Sequence, residues 1–322
     1  MIVGIDTSND FFDATALEDD SVIFQRQFAN NVKGFRLFLN AVKDYTVELV
    51  CIEATGPYHL RFAMFLNEHK FNISVVNPLV IKRYAQMKMS RAKTDKKDAY
   101  LIAFYAKEQK PELWEAPSEA SLEIRQLDTH LELLMKHKRA LANQLHAFKS
   151  TGTMVKGLEK QMEEQINQLN DDIKKIERKI ESLVRSSYQK MADQLQSIPG
   201  IGKKSAYMMI VCTNGFSTFD NYKQVISFFG LAPRHYQSGT SVKGKTRICK
   251  MGMSRVRKIL YMAGVTAIKC NKTCEDLYDR LRAKGKSHNL AIIAVVNKLI
   301  KQSFAIAKNN TYYQADYILQ SA

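Results

Sequence analysis

Two acids surrounded by cations are the residues of this chain best suited to metal chemistry. Asp95 and Asp98 lie in the segment RAKTDKKDAY, residues 91–100, in which every other charge is positive. If a helix begins here, their three-residue spacing places both carboxylates on one face. The neighbouring cations favour ionised acids and the approach of a polyanion. Because two adjacent anions repel each other, the pattern predicts a divalent cation between them, Mg²⁺ or Mn²⁺. On this segment alone, acids placed against a helix dipole are the alternative.

Acids also end two predicted strands nearer the N-terminus. Asp6 closes the apolar run that starts at Ile2, and Glu53 follows the run from Val47 to Ile52. Paired strands are only about 5 Å apart, so the two acids lie side by side if these strands are neighbours in a sheet. A helix carrying the two acids of residues 91–100 across the same edge then gives four carboxylates around one pocket.

The elements predicted before residue 117 are three strands, a helix, and then alternating strands and helices. Runs typical of strands cover Ile2–Asp6, Phe11–Leu17 and Val22–Phe28, and Asn30 or Asn31 can cap the first helix. This is the order of an RNase H-like domain. We therefore expect a multidomain α/β plus α protein with such a domain at its N-terminus and mostly helical structure after it.

A long amphipathic pattern follows Ser118, which can cap a helix. Apolar residues at alternating spacings of four and three run to Phe148, stop between Gly152 and Gly157, and resume up to Leu183. The pattern predicts an antiparallel helical hairpin or a coiled-coil arm. Since a seam this regular often pairs with another chain, we expect a homo-oligomer, either a dimer or a tetramer. A helical linker packed on its own domain is the alternative.

A glycine turn between two predicted helices lies at residues 197–204. Its sequence, SIPGIGKK, contains Gly200, Gly202, Lys203 and Lys204. It resembles a helix-hairpin-helix element, whose turn amides and following helix N-terminus bind a phosphate without reading sequence. A plain turn that needs glycine for a positive φ is the alternative, and the two lysines favour phosphate binding.

The most polarised stretch of the chain is basic. Between Arg234 and Lys258 there are eight Lys or Arg residues and no acid, and hydroxyls lie among glycines and cations in YQSGTSVKGK, residues 236–245. Such a loop either binds backbone phosphates or presents a serine whose developing alkoxide and target phosphate are both flanked by cations. Composition does not choose between these two roles.

The overall charge points to a polyanionic partner. The 322 residues have a formal net charge of +16, for which nucleic acid is a commoner partner than a membrane surface. The five cysteines form no CxxC pair, and their odd number argues against a disulfide framework; Cys270 and Cys274 can share a helix face. The longest apolar run, Leu290–Val296, is far short of a membrane span of about 20 residues, and the first residues show no secretory signal. We expect a cytoplasmic, nucleoid-associated protein without a membrane partner.

Five motifs, in their order along the chain, resemble those of a known family. They are Asp6 in GID, Glu53 in IEATG, Asp95 and Asp98 in KTDKKDA, PGIG at residues 199–202, and Ser238 in QSGTSVKGK. Over nearly its whole length the chain resembles the DEDD transposases of the IS110 insertion sequences. These are bridge-RNA-guided DNA recombinases related to the Piv and MooV invertases.

The resemblance implies a division of the chain and a set of metal-binding acids. The expected domains are a RuvC-like DEDD domain at 1–117, a coiled-coil or helical hairpin at 118–195, and a C-terminal transposase domain at 196–322 with the glycine turn and the serine loop. The acids implied to bind Mg²⁺ (or Mn²⁺) are Asp6, Glu53, Asp95 and Asp98.

The resemblance also implies a reaction and its partners. Ser238 attacks a DNA phosphodiester and leaves a covalent phosphoserine link, and Ser241 of the same loop is the second choice for the nucleophile. An element-encoded non-coding RNA, the bridge RNA, pairs with donor and target double-stranded DNA. The residues expected to contact nucleic acid are glycines and cations, namely Lys93, Lys96, Lys97, Gly200, Gly202, Lys203, Lys204, Arg234, Lys243, Lys245, Arg247 and Lys250.

Three alternatives stay open on the sequence. A RuvC-type junction nuclease would hydrolyse DNA with metal and water, leaving Ser238 as a backbone-binding residue. An RNA-independent DNA invertase would use the serine without a guide. A non-catalytic nucleic-acid-binding protein would use neither. A covalent DNA adduct would exclude the junction nuclease and the non-catalytic protein. RNA dependence would exclude the RNA-independent invertase.

Overall fold

In the computed structural model the chain divides into two units, Met1–Ala116 and Pro117–Ala322. The residues described are 1–19, 21–89, 95–234, 237–238, 242–243, 247–249 and 251–315. Of these, only the backbone is described for Asp95, Lys96, 237–238 and 242–243. Lys93, Ser241, Lys245 and Lys250 of the predicted site lie outside the described residues.

The first unit is built on a five-stranded mixed sheet. Its elements are β1 (Ile2–Thr7), β2 (Phe11–Glu18), β3 (Ser21–Ala29), α1 (Val32–Val42), β4 (Leu49–Glu53), α2 (Tyr58–Glu68), β5 (Ile73–Val76), α3 (Pro78–Met87) and α4 (Asp95–Gln109). The strand order is β3-β2-β1-β4-β5. β1 and β2, like β2 and β3, pair antiparallel, whereas β1 and β4, like β4 and β5, pair parallel. The predicted succession of three strands, a helix and alternating elements is confirmed.

The sheet is packed between two layers of helices, and alternate residues of each strand face one layer or the other. Because successive side chains of a strand point to opposite faces, Val3 and Ile5 lie on one face, packed with the phenylalanines of β2, β3, α1 and α2. Those rings contact each other with centroids 4.3–6.1 Å apart. Cys51 lies on the other face, in a small cluster with Ile81 of α3 and Ile102 of α4.

The second unit is mostly helical. Its elements are α5 (Glu119–Ser150), α6 (Leu158–Gln196), α7 (Lys203–Thr213), α8 (Tyr222–Phe228), β6 (Pro233–Arg234), β7 (Gln237–Ser238), β8 (Val242–Lys243), β9 (Arg247–Ile248), α9 (Ser254–Cys270), α10 (Lys272–Ala283) and α11 (His288–Asn309). Ser118 accepts a hydrogen bond from the amide of Ser121, which confirms it as the cap of α5. The predicted break between Gly152 and Gly157 is also confirmed, since α5 ends before it and α6 begins after it.

Helices α5 and α6 form an antiparallel hairpin, named here the arm. Ion pairs join the end of α5 to the start of α6, through Lys149 and Glu159, and the start of α5 to the later part of α6, through Glu123 and Lys179. Ile173 and Ile176 of the seam pack against the core of the same unit. The helical hairpin is therefore confirmed, and part of its apolar seam is used within the chain.

Two expectations for the second unit need correction. Helix α11 is, by length and composition, long and apolar enough to span a membrane; a search for unbroken apolar runs overlooks it because Asn297 and Lys298 interrupt the run. Its residues Val295 and Leu299 are fully buried in the core of the unit, as in the central helix of a folded domain. Cys270 and Cys274 do not share a helix, since α9 ends at Cys270 and Cys274 belongs to α10.

Candidate active site and nucleic-acid interface

Gly4 brings helix α4 into direct contact with β1. A Cβ atom at this position would lie 2.2 Å from the amide nitrogen of Ala103 and 2.3 Å from the carbonyl oxygen of Ala99. No side chain larger than hydrogen fits between strand and helix here. Because side chains two residues apart on a strand share a face, Asp6 lies on the face of the sheet that α4 covers.

The sheet register places Glu53 beside Asp6. The last parallel pair between β1 and β4 is Ile5 with Ile52, so Asp6 and Glu53 are the next residues of two adjacent strands. Glu53 follows Cys51 by two residues and shares its face, which α4 also covers. In agreement, burial first and then the charge of Glu53 raise the pKa of the Cys51 thiol to about 12.

Contacts along α4 fix its direction relative to the sheet. The ammonium of Lys107, near the end of α4, donates to the carbonyl oxygen of Asp19. Asp19 directly follows β2, which is antiparallel to β1, and so lies at the N-terminal end of β1. Helix α4 therefore runs antiparallel to β1, and its first residues lie at the end of the sheet that carries Asp6 and Glu53.

The predicted acids of α4 occupy its first turn. Asp95 is the first described residue of α4, and only its backbone is described. Asp98 precedes the fully buried Ile102 by one turn, so the two side chains share the face that packs on the sheet. Asp98 is half-buried, as are Asp6 and Glu53. The fold thus brings Asp6, Glu53 and Asp98 to one edge of one face.

The donor set at this edge suits a hard divalent cation. Carboxylate oxygens are the ligands that Mg²⁺ and Mn²⁺ prefer. Among the side chains that the structure describes, no three His, Cys, Asp or Glu residues are grouped closely enough to hold a metal ion; that set does not include the side chain of Asp95. These acids offer the oxygen ligands that such an ion prefers and lie on one face of the sheet.

A further acid of this face is missed by the sequence analysis. Asp13 of β2 is the antiparallel partner of Asp6, and only 5% of its surface is exposed. The signal available in the sequence is an acid inside a mostly apolar strand, FFDATAL, where burial of an unpaired charge is costly. Only the sheet register shows which acid it faces.

The predicted phosphate-binding lysines are engaged by the arm. The ammonium of Lys203 lies 2.7 Å from Glu181, and that of Lys204 lies 2.6 Å from Glu177. The hydrogen bond from Lys203 holds the pKa of the Glu181 carboxyl below its usual value. Gly200 has a φ of +99°, so the turn requires glycine, while Gly202 is the N-cap of α7 without a side-chain hydrogen bond.

An apolar cleft of about 870 Å³ adjoins these ion pairs. Helices α5, α6, α7 and α9 line it, with Met135, Ile180, Met208 and Met262 inside. At its rim Arg255 of α9 pairs with Asp128 of α5 at 2.5 Å. Burial raises the pKa of Asp128, and Arg255 opposes that shift. Several of the charges that line the cleft are therefore already paired within the chain.

The described residues of the serine loop lie in short strand pairs. Ser238 is in β7, where its backbone pairs with Val242 of β8, and Gln237 pairs with Lys243. In the neighbouring ladder Arg234 of β6 is directly opposite Arg247 of β9. Both arginines are exposed. Like charges directly opposite each other destabilise a strand pair, so a polyanion bound here would relieve their repulsion.

Of the remaining predicted contacts, Lys97 lies in the first turn of α4 with its side chain exposed. Lys96 is in the same turn, described by its backbone alone. The structure thus places the predicted nucleic-acid-binding residues in both units.

Comparison with known proteins matches both units to one group. Residues 3–148 match the family model for the DEDD transposases of IS110 elements, described as a transposase, and residues 192–279 match the model described as Transposase IS116/IS110/IS902 family. Together these two regions include the four acids, the glycine turn and the serine loop.

Full-length relatives show the same affiliation. The chain is 32% identical over 316 residues to the pilin gene-inverting proteins of Moraxella bovis and Moraxella lacunata, covering 96% of this chain and 96% of each relative. It is 21% identical over 328 residues to the transposase for insertion sequence element IS1111A of Coxiella burnetii, covering 92% of this chain and 86% of that protein. The chain belongs to the IS110 family of transposases, a family of DNA recombination enzymes.

Proposed function

We propose that this protein cleaves and exchanges DNA strands through a covalent link to Ser238, assisted by Mg²⁺ or Mn²⁺ on four acids and guided by a bridge RNA. The observation that most supports this proposal is that Asp6, Glu53 and Asp98 lie at one edge of the sheet, on the face that α4 covers. Membership of a DNA recombination family supplies the substrate.

The first unit, on this proposal, is a RuvC-like catalytic domain. Its support is the strand order β3-β2-β1-β4-β5, with acids at the ends of the adjacent strands β1 and β4 and on the helix that crosses them. We assign this domain to residues 1–117, the arm to 118–195 and a transposase domain to 196–322.

The metal site of the proposal consists of Asp6, Glu53, Asp95 and Asp98. When bound, the ion offsets negative charge on the transferring phosphoryl group. Strand register and the close contact at Gly4 hold three of these acids on rigid elements, which limits their reorganisation during the reaction. The same acids would also support hydrolysis by water. Attack by Ser238 is therefore what distinguishes a recombinase from a nuclease.

The proposed covalent step exchanges one phosphoester for another. The oxygen of Ser238 forms a bond to phosphorus while the bond from phosphorus to one DNA oxygen breaks; the serine proton is lost and the released DNA oxygen takes up a proton. Because no phosphoester is lost, a second DNA hydroxyl can reverse the step without ATP. Lys243, Lys245 and Arg247 are the cations close in sequence that would hold the phosphate.

The test of the nucleophile is adduct mapping. Full-length protein purified with its RNA is incubated with donor DNA and Mg²⁺, trapped by denaturation, and digested for peptide mass analysis. We expect a DNA adduct on Ser238, and none in Ser238→Ala, which still binds DNA. An adduct on Ser241 moves the chemistry to that residue, and normal cleavage by Ser238→Ala makes the protein a metal-dependent nuclease.

The test of the metal site uses Asp98→Asn, which keeps the shape of the side chain and removes the charge that a hard ion needs. We expect cleavage to fall at least about 100-fold with DNA binding retained. Asp10→Asn, an exposed acid of the β1–β2 turn, is the control and should cleave normally. Full cleavage by wild type in EDTA would contradict a metal-assisted reaction.

An RNA-independent invertase is the second candidate function. The observation in its favour is the match over 96% of the chain to proteins named for pilin gene inversion. Sequencing of the RNA that copurifies from cells, followed by ribonuclease treatment, separates the two. A single co-purifying RNA whose removal stops recombination supports the guided reaction, whereas undiminished recombination after its removal supports the invertase.

A further inference from the structure

The acid at position 13 faces the proposed metal site from the neighbouring strand. Asp13 and Asp6 are Cα partners in the antiparallel β1–β2 ladder, and directly opposed residues project to the same face with Cβ atoms about 5 Å apart. Thr15, two residues along β2, faces Gly4 and is fully buried. Asp13 therefore lies on the side of the sheet that α4 covers.

The side chain of Asp13 is nearly buried and accepts one hydrogen bond among the described residues. Its Oδ2 accepts one hydrogen bond from Gln27 Nε2, at 3.0 Å, from the opposed position on β3. Within the described residues no group donates to Oδ1, and no lysine or arginine forms an ion pair with Asp13. A carboxylate with so little exposure is normally paired with a cation or bound to a metal.

We propose, on the basis of the metal site proposed above, that Asp13 is a positioning residue for the divalent ion, adding negative charge beside Asp6 and anchored by Gln27. Its near-complete burial and the opposition to Asp6 are the observations that support this role. The ion separates two carboxylates that otherwise repel each other, so binding and stability are linked. Outer carboxylates of this kind typically change metal affinity by about 10–100-fold.

The experiment measures Mn²⁺ binding to full-length protein without DNA, by electron paramagnetic resonance, and thermal unfolding in EDTA and in Mn²⁺. Asp13→Asn keeps the acceptor for Gln27 and removes the charge. We expect Mn²⁺ to bind about tenfold more weakly. In EDTA we expect the variant to unfold at a higher temperature than wild type, because the repulsion with Asp6 is gone. Its gain in unfolding temperature on adding Mn²⁺ should be smaller than that of wild type.

Two further variants separate positioning from a structural role. Gln27→Leu, at an exposed position, removes the anchor of Asp13 and should also weaken Mn²⁺ binding. Thr15→Val removes the analogous cross-strand hydrogen bond from Gln25 and should leave Mn²⁺ affinity unchanged.

The outcomes distinguish this role from the metal site itself. If Asp6→Asn weakens Mn²⁺ binding and Asp13→Asn does not, the role of Asp13 is wrong and the metal site stands. If wild type binds no Mn²⁺, or Asp6→Asn binds it as wild type does, both are wrong. An equal loss of affinity in Thr15→Val and Asp13→Asn would make Asp13 a structural residue only.

Discussion

Because Gly4 has no side chain, α4 can approach β1 closely. Ala99 and Ala103, the helix residues that meet Gly4, are fully buried, so strand and helix contact each other through backbone and methyl groups alone. This close approach sets the height of Asp98 above the sheet. A single residue without a side chain thereby sets the spacing between strand and helix at the edge that carries these acids.

We predict that Gly4→Ala destabilises the first unit and impairs cleavage. The added methyl would overlap the helix backbone, and such overpacking typically costs about 1–3 kcal/mol. The free energy of unfolding in urea measures this loss. Gly202→Ala, where the new Cβ would meet no atom within 4 Å, is the matched glycine control, with an expected change of about 0.5 kcal/mol. Equal stability of Gly4→Ala and wild type would contradict the close contact.

At the scale of elements, α6 is acidic where it meets α7. Glu177 and Glu181, one helical turn apart, pair with Lys204 and Lys203. These are the lysines that the glycine turn would present to a phosphate. If the turn binds DNA as predicted, Glu177 and Glu181 of the arm compete with DNA phosphates for these two lysines. Exposed ion pairs are individually worth only about 0–1 kcal/mol, so a polyanion can displace the acids.

We predict that the double variant Glu177→Gln, Glu181→Gln binds a DNA duplex about three- to tenfold more tightly than wild type at low salt, since two lysines lose their acidic partners. Glu164→Gln with Asp171→Asn removes the same charge from exposed positions of α6 and controls for net charge. Fluorescence anisotropy compares the two. Equal affinities of the double variant and its control would remove any role of this turn in DNA binding.

The arm also exposes an apolar residue that its own seam does not use. Leu133 of α5 is 47% exposed. We predict that Leu133→Glu weakens self-association, because it places a charge on an apolar contact surface. Ala142→Glu, nine residues along and on the opposite face of the helix, should leave it intact. Molar mass by light scattering measures both variants, and an unchanged oligomer in Leu133→Glu would place the interface elsewhere.

At the scale of the whole molecule, the net charge of +16 indicates binding dominated by phosphates. Release of condensed counterions makes such binding steeply dependent on salt. The opposed Arg234 and Arg247 contribute to this charge. Their strand pairing keeps two exposed positive residues next to each other. Charge of this kind fits a protein that holds nucleic acid by its backbone.

We predict that affinity for a duplex of arbitrary sequence falls at least about 100-fold between 50 and 200 mM salt. Arg234→Gln with Arg247→Gln should reduce the slope of log affinity against log salt by about two. Titrations at four salt concentrations give both values. An unchanged slope in the double variant would exclude these arginines from the phosphate contacts.

The sequence alone determined those features that depend on neighbouring residues. The strand and helix order of the first unit, the caps at Asn31 and Ser118, the break before α6 and the glycine turn all follow from local rules of periodicity and capping, and the structure confirms them. The motif order also gave the family, which the two family models confirm.

Only the tertiary structure decided which distant residues meet. The pairing of Asp13 with Asp6 depends on the register of a hairpin, and the contact of α4 with Gly4 and the ion pairs of Lys203 and Lys204 join residues far apart in the chain. Strand register and the packing of α4 on the sheet set the first two contacts, and the packing of α6 beside α7 sets the third. A one-residue change of register would turn every side chain of a strand to the other face, and no local pattern specifies that choice.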